Sequence, residues 1–270
     1  MSIAVPPFTL DDINIVLPEL AIVALPMLKA QRSLYEFTKQ AWPIIEPKEP
    51  FVDGMHMRAL CMHLEAVSRG QINRLIVNVP PRTAKSTITS VMWPAWDWIE
   101  NHWRKFLFAS HSFKFSLRDS SRCKEIIKSK WYQKNWGHLY HIKKDTESFF
   151  SNNHTGSRNI TSVSSNATGE NADIVVADDI NDTRKVFSDK IRDTTNAFFS
   201  GTLSMRLNDR RKSSIVIVMQ RSHELDVTGY AIANDKDNRW VKFIMPMEYE
   251  SKRKCVTISF AKDEKPWEDP

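Results

Sequence analysis

The sequence predicts an α/β fold in which a mainly parallel β-sheet is flanked by helices. Short apolar segments of four or five residues alternate with helical segments from residue 75 onward. Such segments are typical of parallel strands that are buried on both faces. Two of them are followed directly by charged and hydroxyl side chains. In a parallel sheet these lie at the carboxyl edge, where ligands bind.

The predicted elements follow one another in the order that such a sheet requires. Residues 1–50 are predicted as helices broken by prolines, and residues 55–69 as an amphipathic helix that Gly70 ends. Strands are predicted at 75–79, 106–109, 174–177, 215–219 and 241–245, and helices at 86–99, 116–130 and 188–203. Ser116 is the predicted N-cap of its helix. Residues 143–172, rich in Ser, Asn and Thr, are predicted as hairpins and loops.

Composition and charge limit the classes of protein to which this chain can belong. Of the 270 residues, 41% are hydrophobic and 26% charged, which is ordinary for a globular domain. The net charge of +6 favours a polyanionic partner only weakly. The cysteines Cys61, Cys123 and Cys255 are too widely spaced for a zinc knuckle and too few for a disulfide framework. The apolar stretch at 13–28 is too short, and too interrupted by prolines, to span a membrane.

A candidate phosphate-binding loop follows the first predicted strand. It reads Pro80-Pro81-Arg82-Thr83-Ala84-Lys85-Ser86-Thr87 and leads directly into a helix. In such loops the backbone N–H groups and the helix N-terminus hold the phosphates, the lysine reaches the β- and γ-phosphates, and the hydroxyl ligates Mg²⁺. We assign nucleotide binding to Pro81, Arg82, Thr83, Ala84, Lys85, Ser86 and Thr87. The usual pattern of such a loop is G-x-x-x-x-G-K-[ST], and this chain has Val79 and Ala84 in place of the two glycines. The alternative interpretation of the segment is therefore an ordinary helix start with a solvated lysine.

An acidic pair follows the strand at 174–177. In phosphate-loop enzymes an acid at this strand end holds Mg²⁺, and a neighbouring acid orients or deprotonates the attacking water. We assign Asp178 to Mg²⁺ and Asp179 to the water. Alone, such a pair is also typical of a turn or a helix cap. Both sites in one chain, with strands and helices between them, predict a P-loop NTPase that uses ATP and Mg²⁺.

Four segments in order resemble the ATPase domain, the DNA-packaging motor, of the tailed-bacteriophage terminase large subunit. Residues 74–86 resemble the family's Walker A region with its Pro-Pro-Arg opening. Residues 168–179 resemble its Walker B region, in which Asp-Asp is a familiar variant. Residues 215–229 resemble the next strand and the coupling motif, and residues 262–270 the stretch that leads towards the nuclease domain. The resemblance runs from residue 51 to the end.

The resemblance implies a motor that hydrolyses ATP to move double-stranded DNA into a procapsid. It implies an N-terminal helical arm at 1–50, the P-loop ATPase domain at 51–246 and, at 247–270, a linker towards an absent nuclease domain. No DNA cleavage is therefore expected. The implied partners are double-stranded DNA, the portal protein of the procapsid, the terminase small subunit and further copies of the chain in a ring. The implied location is the host cytoplasm, without a membrane.

The resemblance also implies roles for residues outside the two motifs. Gln220 and Arg221 begin the coupling segment, which links hydrolysis to movement. Phe51 and His56 lie where the family contacts adenine, although His56 equally fits the start of a helix.

An arginine often stabilises the transition-state charge in ring ATPases. Arg82, within the loop, is the catalytic candidate beside Asp179. Arg158 and Arg221 are the alternative arginine fingers, and for each of the three a surface ion pair is the competing interpretation.

Two other functions stay open on the sequence alone. One is a different P-loop DNA motor such as a helicase, which would carry strand-separation motifs in a second motor domain. The other is a non-enzymatic DNA-binding protein with a decayed nucleotide site, which the missing glycines favour. A motor hydrolyses ATP and responds to duplex DNA, a helicase unwinds it, and a decayed site binds no nucleotide.

Overall fold

The computed structural model describes residues 18–164, 171–248, 256–257 and 267–268. The strands are β1 (Arg74–Asn78), β2 (Lys105–Ser110), β3 (Ile142–Asp145), β4 (Phe149–Asn152), β5 (Ser157–Ser162), β6 (Ile174–Asp178), β7 (Ser214–Met219), β8 (Val241–Ile244), β9 (Val256–Thr257) and β10 (Trp267–Glu268). The first eight form one sheet in the order β3-β4-β5-β2-β6-β7-β1-β8, and β9 pairs with β10.

The main sheet is parallel from β5 to β8, and β3 and β4 add an antiparallel hairpin at one edge. β7 lies between β1 and β6, so the strand before the predicted coupling segment separates the strands of the two predicted motifs. Because these strands run parallel, the segments that follow them meet at one edge of the sheet.

Helices cover the sheet. They are α1 (Pro18–Arg32), α2 (Leu34–Ile45), α3 (Met55–Ser68), α4 (Trp93–Glu100), α5 (Phe113–Lys128), α6 (Lys130–Trp136), α7 (Asp189–Ala197) and α8 (Val227–Ala233). A π-helical turn at Thr87–Met92 leads into α4, and a π-helical turn at Phe198–Thr202 and a 3₁₀ turn at Leu203–Arg206 follow α7. None of the described helices is long and apolar enough to cross a membrane.

Successive strand residues point to opposite faces of the sheet and into two apolar clusters. Leu75 and Val77 pack into the larger cluster, with α2, α3, α4 and α5. Ile76 packs into the smaller one, with Phe199 and Leu203. The predicted α/β fold, with helices on both faces of a mainly parallel sheet, is confirmed.

The helix α2 belongs to the larger core. Its Leu34, Phe37 and Ala41 are fully buried there, and Ser33 caps its N-terminus by accepting a hydrogen bond from the Glu36 N–H. The division of the chain into an arm, an ATPase domain and a linker stays a prediction.

The prediction that prolines break the N-terminal helices is wrong at Pro26 and Pro43, which lie inside α1 and α2. Two predicted helix boundaries are also wrong. The helix predicted at 116–130 begins at Phe113 after the N-cap Ser112, and Ser116 is a buried residue inside it. The helix predicted at 188–203 ends at Ala197, where the π-helical turn begins. The segment predicted as hairpins and loops contains the hairpin β3–β4 and also the parallel strand β5.

Candidate functional site

The segment after β1 forms a strained loop that ends in a helix. Arg82 and Ala84 have left-handed backbone angles, with φ of 64° and 58°, on either side of Thr83. The Thr83 hydroxyl donates to the Pro80 carbonyl at 2.8 Å, which fixes the turn. Backbone that alternates in hand in this way turns successive N–H groups to one side and makes an anion-binding concavity. The helix that starts at Lys85 adds further N–H groups without intrahelical acceptors.

Ala84 occupies a conformation that glycine adopts without strain. A side chain in the left-handed region costs about 1–2 kcal/mol per residue. Ala84 therefore carries backbone strain at the position where the phosphate-loop pattern has its second glycine.

Lys85 and Asp179 meet across the carboxyl edge of the sheet. The Lys85 ammonium lies 3.4 Å from an Asp179 carboxylate oxygen, and Lys85 is only 7% exposed. Asp179 itself has a φ of 44° and is held by its backbone: its N–H donates to Val218, and its carbonyl lies 2.6 Å from His111 Nδ1. A non-glycine residue in the left-handed region is strained and persists only where its surroundings hold it. Such residues cluster at functional sites.

Asp178 is buried at the end of β6 and is held by two hydroxyls. Ser86 Oγ donates to Oδ1 at 2.9 Å, and Ser90 Oγ donates to Oδ2 at 2.6 Å. Burial raises the pKa of the Asp178 carboxyl, and the negative charge of Asp179 raises it further. Among the described residues no cation lies within ion-pair distance of Asp178.

Ser86 and Asp178 together suit a magnesium ion. Both offer hard oxygen atoms, and Mg²⁺ in nucleotide sites takes one or two protein ligands beside phosphate oxygens and water. A divalent charge would also compensate the buried carboxylate. Within the described ranges no cluster of three or more His, Cys, Asp and Glu side chains could hold a metal ion.

A cavity of about 220 Å³ opens beside the two acids. Its wall includes Ser86, Asp178 and Asp179, and also His111, Arg118 and Arg158. Sequence reasoning missed His111 and Ser90. His111 follows β2 at the same carboxyl edge, and Ser90 lies four residues after Ser86 on the helix.

The predicted coupling segment follows β7, and its residues are joined by several hydrogen bonds. Gln220 is half-buried. Arg221 Nε donates to the buried Asp226 at 3.1 Å, and its Nη2 donates to the carbonyls of His223 and Glu224. A Cβ on Gly229 would lie 1.8 Å from the Glu224 carbonyl oxygen, so this loop requires glycine there. Arg221 therefore shapes the segment in this structure.

Arg158 lies in the core and not on the surface. It is fully buried in β5, its Nη2 donates to the Ser90 carbonyl at 3.0 Å, and its guanidinium stacks 4.2 Å from the centre of the Phe108 ring. The surface ion pair considered for Arg158 is wrong. Burial also sets Arg158 apart from a residue that reaches a neighbouring subunit, whereas Arg82 is exposed.

His56 stands beside the loop. It forms a hydrogen bond with the Thr83 backbone, and burial lowers the pKa of its imidazole. Phe51 is half-buried and packs edge-on against Tyr35 and Trp42, with ring centres 5.9 and 5.5 Å apart. The structure thus brings His56 to the phosphate loop, and the adenine contact stays a prediction.

Comparison with known proteins adds to this geometry. No family model and no curated protein matches the sequence. The crystal structure of the large terminase of bacteriophage HK97 is similar, with a TM-score of 0.50 and 12% identity over 82% of this chain. The fold is similar to that of a phage large terminase. The chain spans 45% of the length of that protein.

Two structures of the large terminase of a thermophilic bacteriophage are also similar. One, in complex with ADP, has a TM-score of 0.39 and 11% identity over 67% of this chain and 44% of that one. The other has a TM-score of 0.40 and 10% identity over 77% of this chain and 45% of that one.

Proposed function

We propose that this chain is the ATP-hydrolysing motor domain of a phage terminase large subunit, which drives double-stranded DNA into a procapsid. One observation carries the proposal: Ser86 and Asp178, 92 residues apart in sequence, are joined by a hydrogen bond of 2.9 Å at the carboxyl edge of a parallel sheet. Lys85 and Asp179 meet at the same place. A decayed nucleotide site would have no reason to keep this arrangement.

The residues of the site divide the work of phosphoryl transfer. The loop N–H groups and Lys85 bind the phosphates, and Ser86 and Asp178 hold Mg²⁺, which neutralises charge on the phosphate oxygens. Asp179 orients the attacking water and accepts its proton. In the structure Asp179 contacts Lys85, so a γ-phosphate that draws Lys85 away would release this carboxylate for the water.

The charge distribution supports DNA as the partner. Residues 114–144 carry nine Lys or Arg against two Asp or Glu, a net charge of +7, while the whole chain carries +6. Most of these residues lie along α5 and α6. Lys124 and Lys128 share one acidic partner, Asp145, so the surface keeps an excess of positive charge. Phosphate backbones bind such surfaces through counterion release.

The remaining partners belong to the same proposal. We propose that the chain works in the host cytoplasm as one subunit of a ring on the portal protein, with the terminase small subunit. Arg82, exposed in the loop, is the arginine best placed to act on a phosphate at its own site.

Calorimetry with Mg-ATP tests the proposal. The parent chain should bind, and Lys85→Ala should bind more than about tenfold more weakly, because a charged contact contributes about 1.5–3 kcal/mol. Lys212→Ala, at the opposite end of β7, removes an exposed lysine of the same charge and should leave binding unchanged. Hydrolysis should then rise on addition of duplex DNA. A parent chain that binds no Mg-ATP would overturn the proposal.

A further inference from the structure

The carboxylate of Asp178 is held on both oxygens from one helix. Ser86 bonds Oδ1 and Ser90 bonds Oδ2. Ser86 belongs to the phosphate loop motif, and its contact with Asp178 is already part of the proposed function. Ser90 belongs to no motif: it is 3% exposed and stands one turn further along the helix.

A π-helical turn places Ser90 there. Over Thr87–Met92 the helix is widened, and the Trp93 N–H bonds the Ile88 carbonyl, five residues back. Such turns carry one more residue than an α-helical turn and occur often at functional sites. Here the widened turn presents two hydroxyls, four residues apart, to the two oxygens of a single carboxylate.

Arg158 fixes this turn from the neighbouring strand. The Arg158 Nη2 donates to the Ser90 carbonyl at 3.0 Å, although the two residues are 68 positions apart in the sequence. Nε and Nη1 have no hydrogen-bond partner among the described residues. A fully buried guanidinium with two unbonded N–H groups is costly, and a cost of this kind requires an explanation.

Arg158 lines the cavity beside Asp178. No ion pair joins the two residues, and Ser86 and Ser90 occupy the two oxygens of the Asp178 carboxylate. Arg158 therefore acts on the acid through the Ser90 carbonyl and leaves the carboxylate to the hydroxyls and to a metal.

We propose that Ser90 and Arg158 are positioning residues for Asp178: Ser90 sets the rotation of its carboxylate, and Arg158 holds Ser90 in place. This inference rests on the proposed function, because it concerns how the Mg²⁺ ligand of that site is oriented. A purely structural role predicts a change in stability alone, whereas a positioning role predicts a change in the dependence on Mg²⁺.

The test compares neighbouring hydroxyls on the same turn. Ser90→Ala removes the bond to Asp178. Thr89→Val removes a hydroxyl that is equally buried and has no hydrogen-bond partner in the described part of the chain. ATP binding and hydrolysis by the full chain are measured against Mg²⁺ concentration, and melting curves check the fold.

Ser90→Ala should raise the Mg²⁺ concentration for half-maximal activity by about tenfold, the equivalent of one hydrogen bond to a charged group. Thr89→Val should leave it unchanged, and Ser90→Thr, which keeps the hydroxyl, should restore it. Arg158→Met should shift it in the same direction as Ser90→Ala. If Arg158→Met does not fold, the Ser90 series decides.

The two proposals fail differently. An equal Mg²⁺ dependence in the parent and in Ser90→Ala, with Mg-ATP still bound by both, would overturn the positioning role and leave the motor intact. A parent that binds no Mg-ATP would overturn both. A lower melting temperature with unchanged Mg²⁺ dependence would make Ser90 a structural residue only and would also overturn the inference.

Discussion

The ammonium group of Lys85 lies 3.4 Å from the carboxylate of Asp179, so the predicted phosphate contact and the predicted water-orienting acid are bonded to each other. The pair joins the segment after β1 to the segment after β6, across β7. In the proposed function Lys85 cannot hold a γ-phosphate and Asp179 equally well at once, so phosphate binding should release the acid. Substitutions of Lys85 and of Asp179 should therefore have different effects on ATP binding and on ATP hydrolysis.

Asp179→Asn should separate binding from hydrolysis. The amide cannot accept the proton of the attacking water, and loss of such a group lowers rates by roughly 10²–10⁴-fold. Mg-ATP affinity should be equal or higher, because Lys85 loses a competing carboxylate. Single-turnover hydrolysis and calorimetry measure the two. Asp193→Asn, an exposed acid on α7, is the matched control and should change neither. Unreduced hydrolysis in Asp179→Asn would assign the water to another residue.

Ala84→Gly should stabilise the protein. The left-handed backbone at Ala84 costs about 1–2 kcal/mol, and the greater freedom of glycine in the unfolded chain offsets part of the gain, which leaves about 0.5–1 kcal/mol. Urea unfolding measures this difference.

The matched control for Ala84→Gly is the same substitution in ordinary helical backbone. Ala197 is exposed, with φ of −64° and ψ of −41°, and Ala197→Gly should destabilise by about 1 kcal/mol. Two destabilising results would contradict the strain at Ala84.

The sequence predicted the strands of the site well because buried parallel strands form apolar runs. β1, β6 and β7 are such runs, and the polar residues that follow them define the carboxyl edge. β5 could not be found in this way. All six of its residues are buried, yet they include Ser157, Arg158 and Asn159, and a polar strand looks like a loop.

The remaining differences depend on tertiary contacts that no local pattern carries. The π-helical turn at Thr87–Met92 has no sequence signal, so the second hydroxyl on Asp178 was missed. In the sequence Arg158 cannot be distinguished from a surface arginine, because only the folded sheet buries it. The predicted cap Ser116 lies instead inside α5, where its hydroxyl contacts the Ser110 hydroxyl at 2.9 Å, a tertiary contact that the local sequence does not show.

His63 should make the protein sensitive to acid. Its ring is fully buried, lies 2.7 Å from the Ala59 carbonyl and stacks on Phe243, and burial lowers its pKa to about 4. The unfolded chain binds this proton near pH 6.5. The contribution of His63 to the free energy of unfolding is thus constant above that pH and falls by about 3 kcal/mol as the pH drops from about 6.5 to about 4.

Urea unfolding between pH 7 and pH 4.5 measures the effect of His63. His63→Gln should flatten the pH dependence of stability, whatever its stability at pH 7. The matched control is His138→Gln, which replaces an exposed histidine and should keep the slope of the parent. Parallel curves for the parent and His63→Gln would show that other groups cause the acid sensitivity.

Charge reversal on α5 and α6 should weaken DNA binding. Lys114, Lys130 and Lys134 are exposed, and Lys114 stands at the start of α5, where that helix leaves the carboxyl edge of the sheet near the candidate site. The triple change to Glu should lower duplex affinity. If all three contact phosphates, the slope of log affinity against log salt should fall by about 3.

The control for these three substitutions is a second triple variant with the same net charge. Lys190→Glu, Lys212→Glu and Lys236→Glu change the same number of exposed lysines outside residues 114–144. If the basic surface binds DNA, this second variant keeps most of the affinity and the salt slope of the parent, since only charges near the phosphates release counterions. Equal losses in the two variants would mean that total charge, and not this surface, governs the interaction. Mg-ATP binding should be intact in both, because none of the six lysines belongs to the phosphate loop.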